Sequence, residues 1–387
     1  MRIGLFADHD VNTGRQPFLD GAKAFAIFWM VMVHVFEEFD IFESSTFFAP
    51  DAPMFGRLLG CVLAGVFAAP VFMFALGVGV AYSRNSAEVP MRRRGLGLLL
   101  KWLLLNLVRY PLPMWILLWF VPTLATDDSD PRSLLAFLFE NEILGFAGLA
   151  FLLLALLKRL HVSAGGALAL AALMSAFGSV VCRLDLGNMA ANLAVSSFID
   201  VESEGVCSRF PLLNWFVFPA AGLLFGKMLR RCVSTARLFT VLTPLALVVF
   251  VPLTVWYWRT DSGIMASGDM SFYRMGLSDA LYVLTGVLVI LGLWVFAAQF
   301  VRGGLKTAMA EVSKAINEVY IVQWMLVCWT QILVQKIMGF RPGVAGAVCL
   351  AVTIWLAACL IGCCWRRKMI QLQSILPDFV ILKTKTK

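Results

Sequence analysis

The chain has 387 residues, of which 60% are hydrophobic and 14% charged, with a mean hydropathy of +0.83 and a formal net charge of +8. Soluble domains carry about a quarter charged residues, so this composition excludes a soluble globular protein and places one integral domain in a bilayer. The positive balance calls for no nucleic acid, because a basic rim facing anionic lipid accounts for it.

In chain order, residues 1–17 read as a cytoplasmic tail without the charged-then-apolar layout of a cleavable signal. A membrane helix needs about 20 mostly apolar residues. Ten segments qualify, at 18–38, 58–82, 96–121, 143–157, 163–182, 210–228, 237–258, 279–300, 316–338 and 344–365. A basic tail, 366–387, follows. The expected fold is therefore all-α, a polytopic membrane domain over 18–365 with about ten transmembrane helices.

The first segment, FLDGAKAFAIFWMVMVH (18–34), carries Asp20, Lys23 and His34 where a plain anchor carries no charge. Asp20 and Lys23 are one turn apart on one face. Lys23 and His34 are separated by three turns and about 20°, or about 16 Å along the axis, so both lie on one side. Glu37 and Glu38 continue the line. A bland reading pairs Asp20 with Lys23 at the interface and gives His34 an interhelical hydrogen bond. An ionisable stripe inside a span is nonetheless a functional hypothesis.

In the second segment, LGVGVA (76–81) resembles a phosphate loop only superficially. No strand precedes it, and small residues in a span pack helices together. The third segment carries Lys101 and Arg109, and Pro111 and Pro113 predict a kink. The nine cysteines form no CxxC pair or Cys/His cluster, so neither zinc nor a disulfide framework is indicated.

Charge sets the orientation. With both termini cytoplasmic, the inner segments and inner span ends hold 22 of the 32 Lys and Arg, among them Arg92, Arg93 and Arg94. The outer side holds 8, together with 17 of the 24 acids. Basic residues favour the cytoplasmic side, and splitting the third span would reverse every later loop and destroy this asymmetry.

Arg15 and the run Leu19-Asp20-Gly21-x-Lys23, followed ten residues later by His34, resemble the first-span signature of the membrane acyltransferase 3 family, with lysine where arginine is more usual. Four further stretches, 70–85, 93–113, 208–229 and 317–329, are similar to its heparan-α-glucosaminide N-acetyltransferase-like bacterial branch. The resemblance implies acyl transfer from acyl-CoA, with acetyl-CoA the expected donor, to a hydroxyl or amine of a glycan-type acceptor. The donor is then a co-substrate, and no cofactor is tightly bound. A bacterial inner membrane is the implied home, and an oligomer is compatible with it.

Coenzyme A is a cytoplasmic polyanion. Arg15, Lys23, Arg92, Arg93, Arg94 and Arg109 are the expected phosphate partners, with Asn106 a further polar group able to line the donor site. His34 is the acid–base candidate, because imidazole titrates near neutral pH, and Glu37 or Glu38 is a candidate to orient its ring. His9 and His161 compete poorly, one in the tail and the other in a tight turn. Asn214, Tyr320 and Gln323 are polar groups in or at the ends of spans with no assigned role. A secondary transporter or flippase using Lys23, His34 and Arg109 as a substrate or proton path is the alternative.

Overall fold

The computed structural model describes residues 4–44, 68–124, 131–203, 206–265 and 272–375. Helix accounts for 78% of the structure, and its paired strands are two residues each, so the class is all-α. Among the described residues, six helices are long and apolar enough to cross a membrane, and a seventh crossing arises if one bent pair counts as a span.

Helix α1 (Pro17–Glu38) starts with proline at its first position, where the missing N–H costs nothing. Gly21 is there for packing. A Cβ on it would sit 2.4 Å from the Trp294 ring. The expected second span is seen only as α2 (Ala69–Tyr82), which is short, since 45–67 lie outside the described residues. The predicted kink is real. Helix α3 (Glu88–Arg109) gives way at Tyr110 to α4 (Pro111–Phe120), because proline disfavours helical geometry in the residue before it.

The expected fourth span corresponds to the second of two helices joined by a bend, and that helix ends two residues past the predicted 157. Helix α5 (Pro131–Phe139) leads into α6 (Ile143–Arg159) through a 43° bend. Helix α7 (Ala164–Val180), capped by the Ser163 hydroxyl, is 17 residues and shorter than a full span. Between residues 181 and 211 lie α8 (Met189–Ser196) and a two-residue ladder of β1 (Glu202–Ser203) with β2 (Val206–Cys207). Asp200 there is buried and paired with Arg274.

Helices α9 (Val217–Arg231), α10 (Thr235–Thr260) and α11 (Leu277–Ala297) follow. Helix α12 (Gly303–Lys314), between the expected eighth and ninth spans, is amphipathic and largely exposed. Helix α13 (Ile316–Gln331) ends in a π-helical stretch, Ile332–Ile337. Helix α14 (Val344–Ile375) runs ten residues past the predicted end of its span. The first part of the basic tail is therefore helix, and 376–387 lie outside the described residues.

Helix α1 packs against α2, α11, α12, α13 and α14, so the stripe from Lys23 to His34 faces protein along its length. Helices α2 and α9 cross so closely that a Cβ on Gly77 or Gly222 would lie 2.0 Å from the carbonyl oxygen of Pro219 or Phe74. Such contact of small residues drives helix association in lipid. The glycines of LGVGVA then divide. Gly77 packs, whereas Gly79 has open space where its side chain would be.

Candidate active site

At the start of α1, Asp20 accepts from Arg15 Nε (2.6 Å) and Nη2 (3.0 Å) and from Ser313 Oγ (2.6 Å). Arg15 also donates to the Ala310 carbonyl at 2.9 Å. Arg15 is thus committed to pinning α1 onto α12 and lines a separate cavity of about 260 Å³ with Trp294 and Lys306. Lys23 lies 4.0 Å from Asp20 and points to another space.

That space is a cavity of about 310 Å³ between α1, α2, α3, α6, α13 and α14. Lys23, Arg94, Lys314 and Arg366 supply four cations to its wall; Gly79, Phe72, Leu98 and Phe151 supply apolar surface. Arg94 lies over the Phe151 ring at 4.6 Å. The predicted phosphate partners therefore separate. Lys23 and Arg94 meet in one cavity, joined by Lys314 and Arg366, which the sequence reading missed. Arg92 pairs with Glu88 at 3.7 Å on the exposed side, and neither it nor Arg93 lines the cavity.

Tyr320 also lines this cavity. Its hydroxyl accepts from Trp324 Nε1 at 2.7 Å and is hydrogen-bonded to the Glu142 carboxyl. His34 stacks on Trp324, with centroids 3.8 Å apart and planes 24° apart. Its Nδ1 donates to Gln323 Oε1 at 3.1 Å. Gln323, Tyr320 and Trp324 project together because they lie within five residues of one helix, at one-turn spacing or less. Gln323, and not either of the candidates Glu37 and Glu38, holds Nδ1 of the imidazole. The two glutamates are half-buried at the end of α1, in the field of Arg209.

Arg109 lies over the Trp324 ring at 4.8 Å and is ion-paired with Glu140, which also receives Arg209 Nε at 2.6 Å. With Arg109 3% exposed, this is a buried ion pair, not a phosphate contact on the cavity wall. Asn106, fully buried, does not line the cavity either. Its amide donates to the carbonyls of Leu138 (3.0 Å) and Glu140 (2.9 Å), which the bend between α5 and α6 leaves without helical partners. Asn214 donates to the Met275 carbonyl at 3.1 Å, remote from the His34 cluster.

The geometry therefore joins a cation-lined, partly apolar cavity to a stacked imidazole through two side chains of α13. A family model described as an acyltransferase domain, acyltransferase 3, matches residues 16–362. The chain belongs to the acyltransferase 3 family. No curated protein and no solved structure gives a significant match.

Membership and the apolar helices together make the chain an integral membrane acyltransferase. The acyltransferase 3 match covers the first-span signature from Leu19 to His34, leaving Arg15 just before it, and includes the groups around His34 that sequence reasoning overlooked: Glu140, Glu142, Trp324 and Arg209. Two carboxylates in FENE (139–142), flanked by apolar residues, were the available signal.

Proposed function

We propose that this acyltransferase moves an acyl group, acetyl in the first instance, from acyl-CoA to a hydroxyl or amine of a glycan-type acceptor, with His34 as general base. The observation that carries the reading is the four-cation cavity lined in part by Tyr320, which is one hydrogen bond and one ring stack from His34. Lys23, Arg94, Lys314 and Arg366 suit the phosphates of coenzyme A, while the apolar wall suits the pantetheine arm. The likeness to the heparan-α-glucosaminide N-acetyltransferase-like branch supports a sugar acceptor.

With the Nδ1 proton on Gln323, His34 Nε2 carries the lone pair. It takes the acceptor proton as the acceptor attacks the thioester carbonyl, then returns that proton to the departing thiolate.

Ten spans with both termini in the cytoplasm of a bacterial inner membrane give the donor its access. In support, Ala7, Val11 and Asn12 hydrogen-bond to the carbonyls of Arg230 and Arg231, which puts the amino terminus and a basic span end on one side.

The test is thiol release by purified protein supplied with acetyl-CoA and glucosamine. Wild type is expected to release coenzyme A in an acceptor-dependent manner, and His34→Gln to lose at least ~10² in rate at matched thermal stability. No release by wild type, or near wild-type rates in the variant, would sink the reading.

A further inference from the structure

The cavity of about 260 Å³ between α1, α11 and α12 takes no part in the reaction proposed above. Helix α12 divides it from the four-cation cavity: Ser313 and Lys314 line one space, and Lys306, Met309 and Ala310 the other. Its walls are mostly apolar. Trp294, Ala298 and Val301 follow one another at one-turn spacing along the end of α11 and the turn after it, and Pro17 and Met309 complete the lining. Trp294 is held in place, because its ring packs directly on Gly21 and meets Phe25 edge-on at 5.9 Å. The space is therefore preformed.

Three charged side chains line it. Arg15 and Asp20 neutralise each other through two hydrogen bonds, which leaves the charge of Lys306. Among the described residues Lys306 makes no hydrogen bond or ion pair, and neither does Arg302, one turn before it. The neighbouring exposed side chains are apolar: Phe296, Phe300 and Leu305 are each more than half exposed. Such a surface at the end of a span lies against acyl chains, and a tryptophan beside it marks the level where chains meet headgroups. A basic recess between membrane helices suits an anionic lipid headgroup.

We propose that this cavity binds one anionic phospholipid from the leaflet on the side of the amino terminus, with an acyl chain against Trp294 and Met309 and the phosphate on Lys306. The two kinds of wall decide the class. A soluble phosphate compound would use the cation and leave the apolar lining in water. An uncharged lipid would cover the lining and leave Lys306 unpaired. A phosphate carried on an acyl chain satisfies both. Binding is noncovalent, and it does not depend on the acyl-CoA reading.

The experiment titrates delipidated full-length protein in detergent with phosphatidylglycerol, with phosphatidylcholine of the same chains and with glycerol 3-phosphate, and counts bound molecules by native mass spectrometry. Wild type is expected to hold one phosphatidylglycerol about fivefold more tightly than phosphatidylcholine, as for one basic residue at an anionic headgroup, and glycerol 3-phosphate is expected not to displace it. Lys306→Glu, on the exposed rim, is expected to fold normally and lose the preference. Ala298→Phe, which fills the cavity, is expected to weaken both lipids at least fivefold. Arg93→Glu, which lies outside the cavity, is expected to change neither. Equal affinity of wild type for the two lipids overturns the proposal. So do equal losses in Lys306→Glu and Arg93→Glu, which would mean lipid held by the basic rim at large, and displacement by glycerol 3-phosphate, which would mean a soluble phosphate site. Should Ala298→Phe not fold, Lys306→Glu against Arg93→Glu decides. Thiol release plays no part in these readouts, so this proposal and the donor reading fail separately.

Discussion

His34 has one nitrogen engaged by Gln323 and the other without a partner among the described residues. The hydrogen bond on one ring nitrogen sets which nitrogen carries the proton, so Gln323 should matter to rate more than to binding. Gln323→Leu is expected to lower kcat roughly tenfold with little change in donor KM, about the 1.4 kcal/mol of one hydrogen bond; Gln323→Glu should restore most of it. Steady-state kinetics at matched Tm would check this. Glu140 has a different role. Glu140→Ala would leave Arg109 buried without its carboxylate and half-buried Arg209 without its partner, and breaking a buried pair costs about 3–5 kcal/mol. Thermal melting of the purified variant should show a large loss, smaller for Glu140→Gln.

Lys23 and His34 were legible in the sequence because charge inside a span stands out. Glu140, Glu142 and Arg209 were not, because they flank the apolar runs and read as outer-loop charges. Only the bend between α5 and α6 and the approach of residues 208–210 bury Glu142 and bring Glu140 and Arg209 together.

Among the elements, α1, α3, α9, α10, α11 and α14 were readable from apolar length alone, and the break at Tyr110 from Pro111. Three things were not. Helix α12 is exposed and amphipathic, so no apolar run announces it. The bend at 140–142 depends on Asn106, Trp102 and Asn141 donating to carbonyls distant in sequence. The π stretch after α13 leaves no signature in composition.

The two glycines of α2 give a test at this scale. Gly77→Leu should prevent α2 and α9 from meeting and should fail to yield folded protein. A Cβ on Gly79 meets no atom within 4 Å and the residue lines the cavity, so Gly79→Leu should fold normally and weaken acetyl-CoA binding. Equal stability of the two variants would contradict the helix crossing. The wall charges offer a parallel check by titration calorimetry. Lys23→Glu and Arg94→Glu should each raise Kd about tenfold, roughly 1.4 kcal/mol, and wild-type affinity should fall as salt rises. Arg93→Glu, outside the cavity lining, should change little.

For the molecule as a whole, the family match over 16–362 and the six clearly long apolar helices agree with the reading from composition, whereas the count of crossings depends on how short and bent segments are treated. Reporter fusions would settle the topology. A fusion after Lys387 should report cytoplasm and one at Asp128 the opposite side; a cytoplasmic signal at 128 would refute the ten-span arrangement.

The ion pair between Arg109 and Glu140 also has a consequence in time. Arg109 is made 31 residues before Glu140 and 100 before Arg209. While the chain is still growing, α3 must therefore enter lipid with an arginine whose partner has not yet emerged, at about 2.5–3.5 kcal/mol for a central position on the insertion scale. The segment 88–120 should therefore insert inefficiently when synthesised alone and more completely once the chain extends past residue 159. Glu140→Ala should abolish that gain, making membrane insertion of this acyltransferase an order-dependent assembly in which a later helix secures an earlier one.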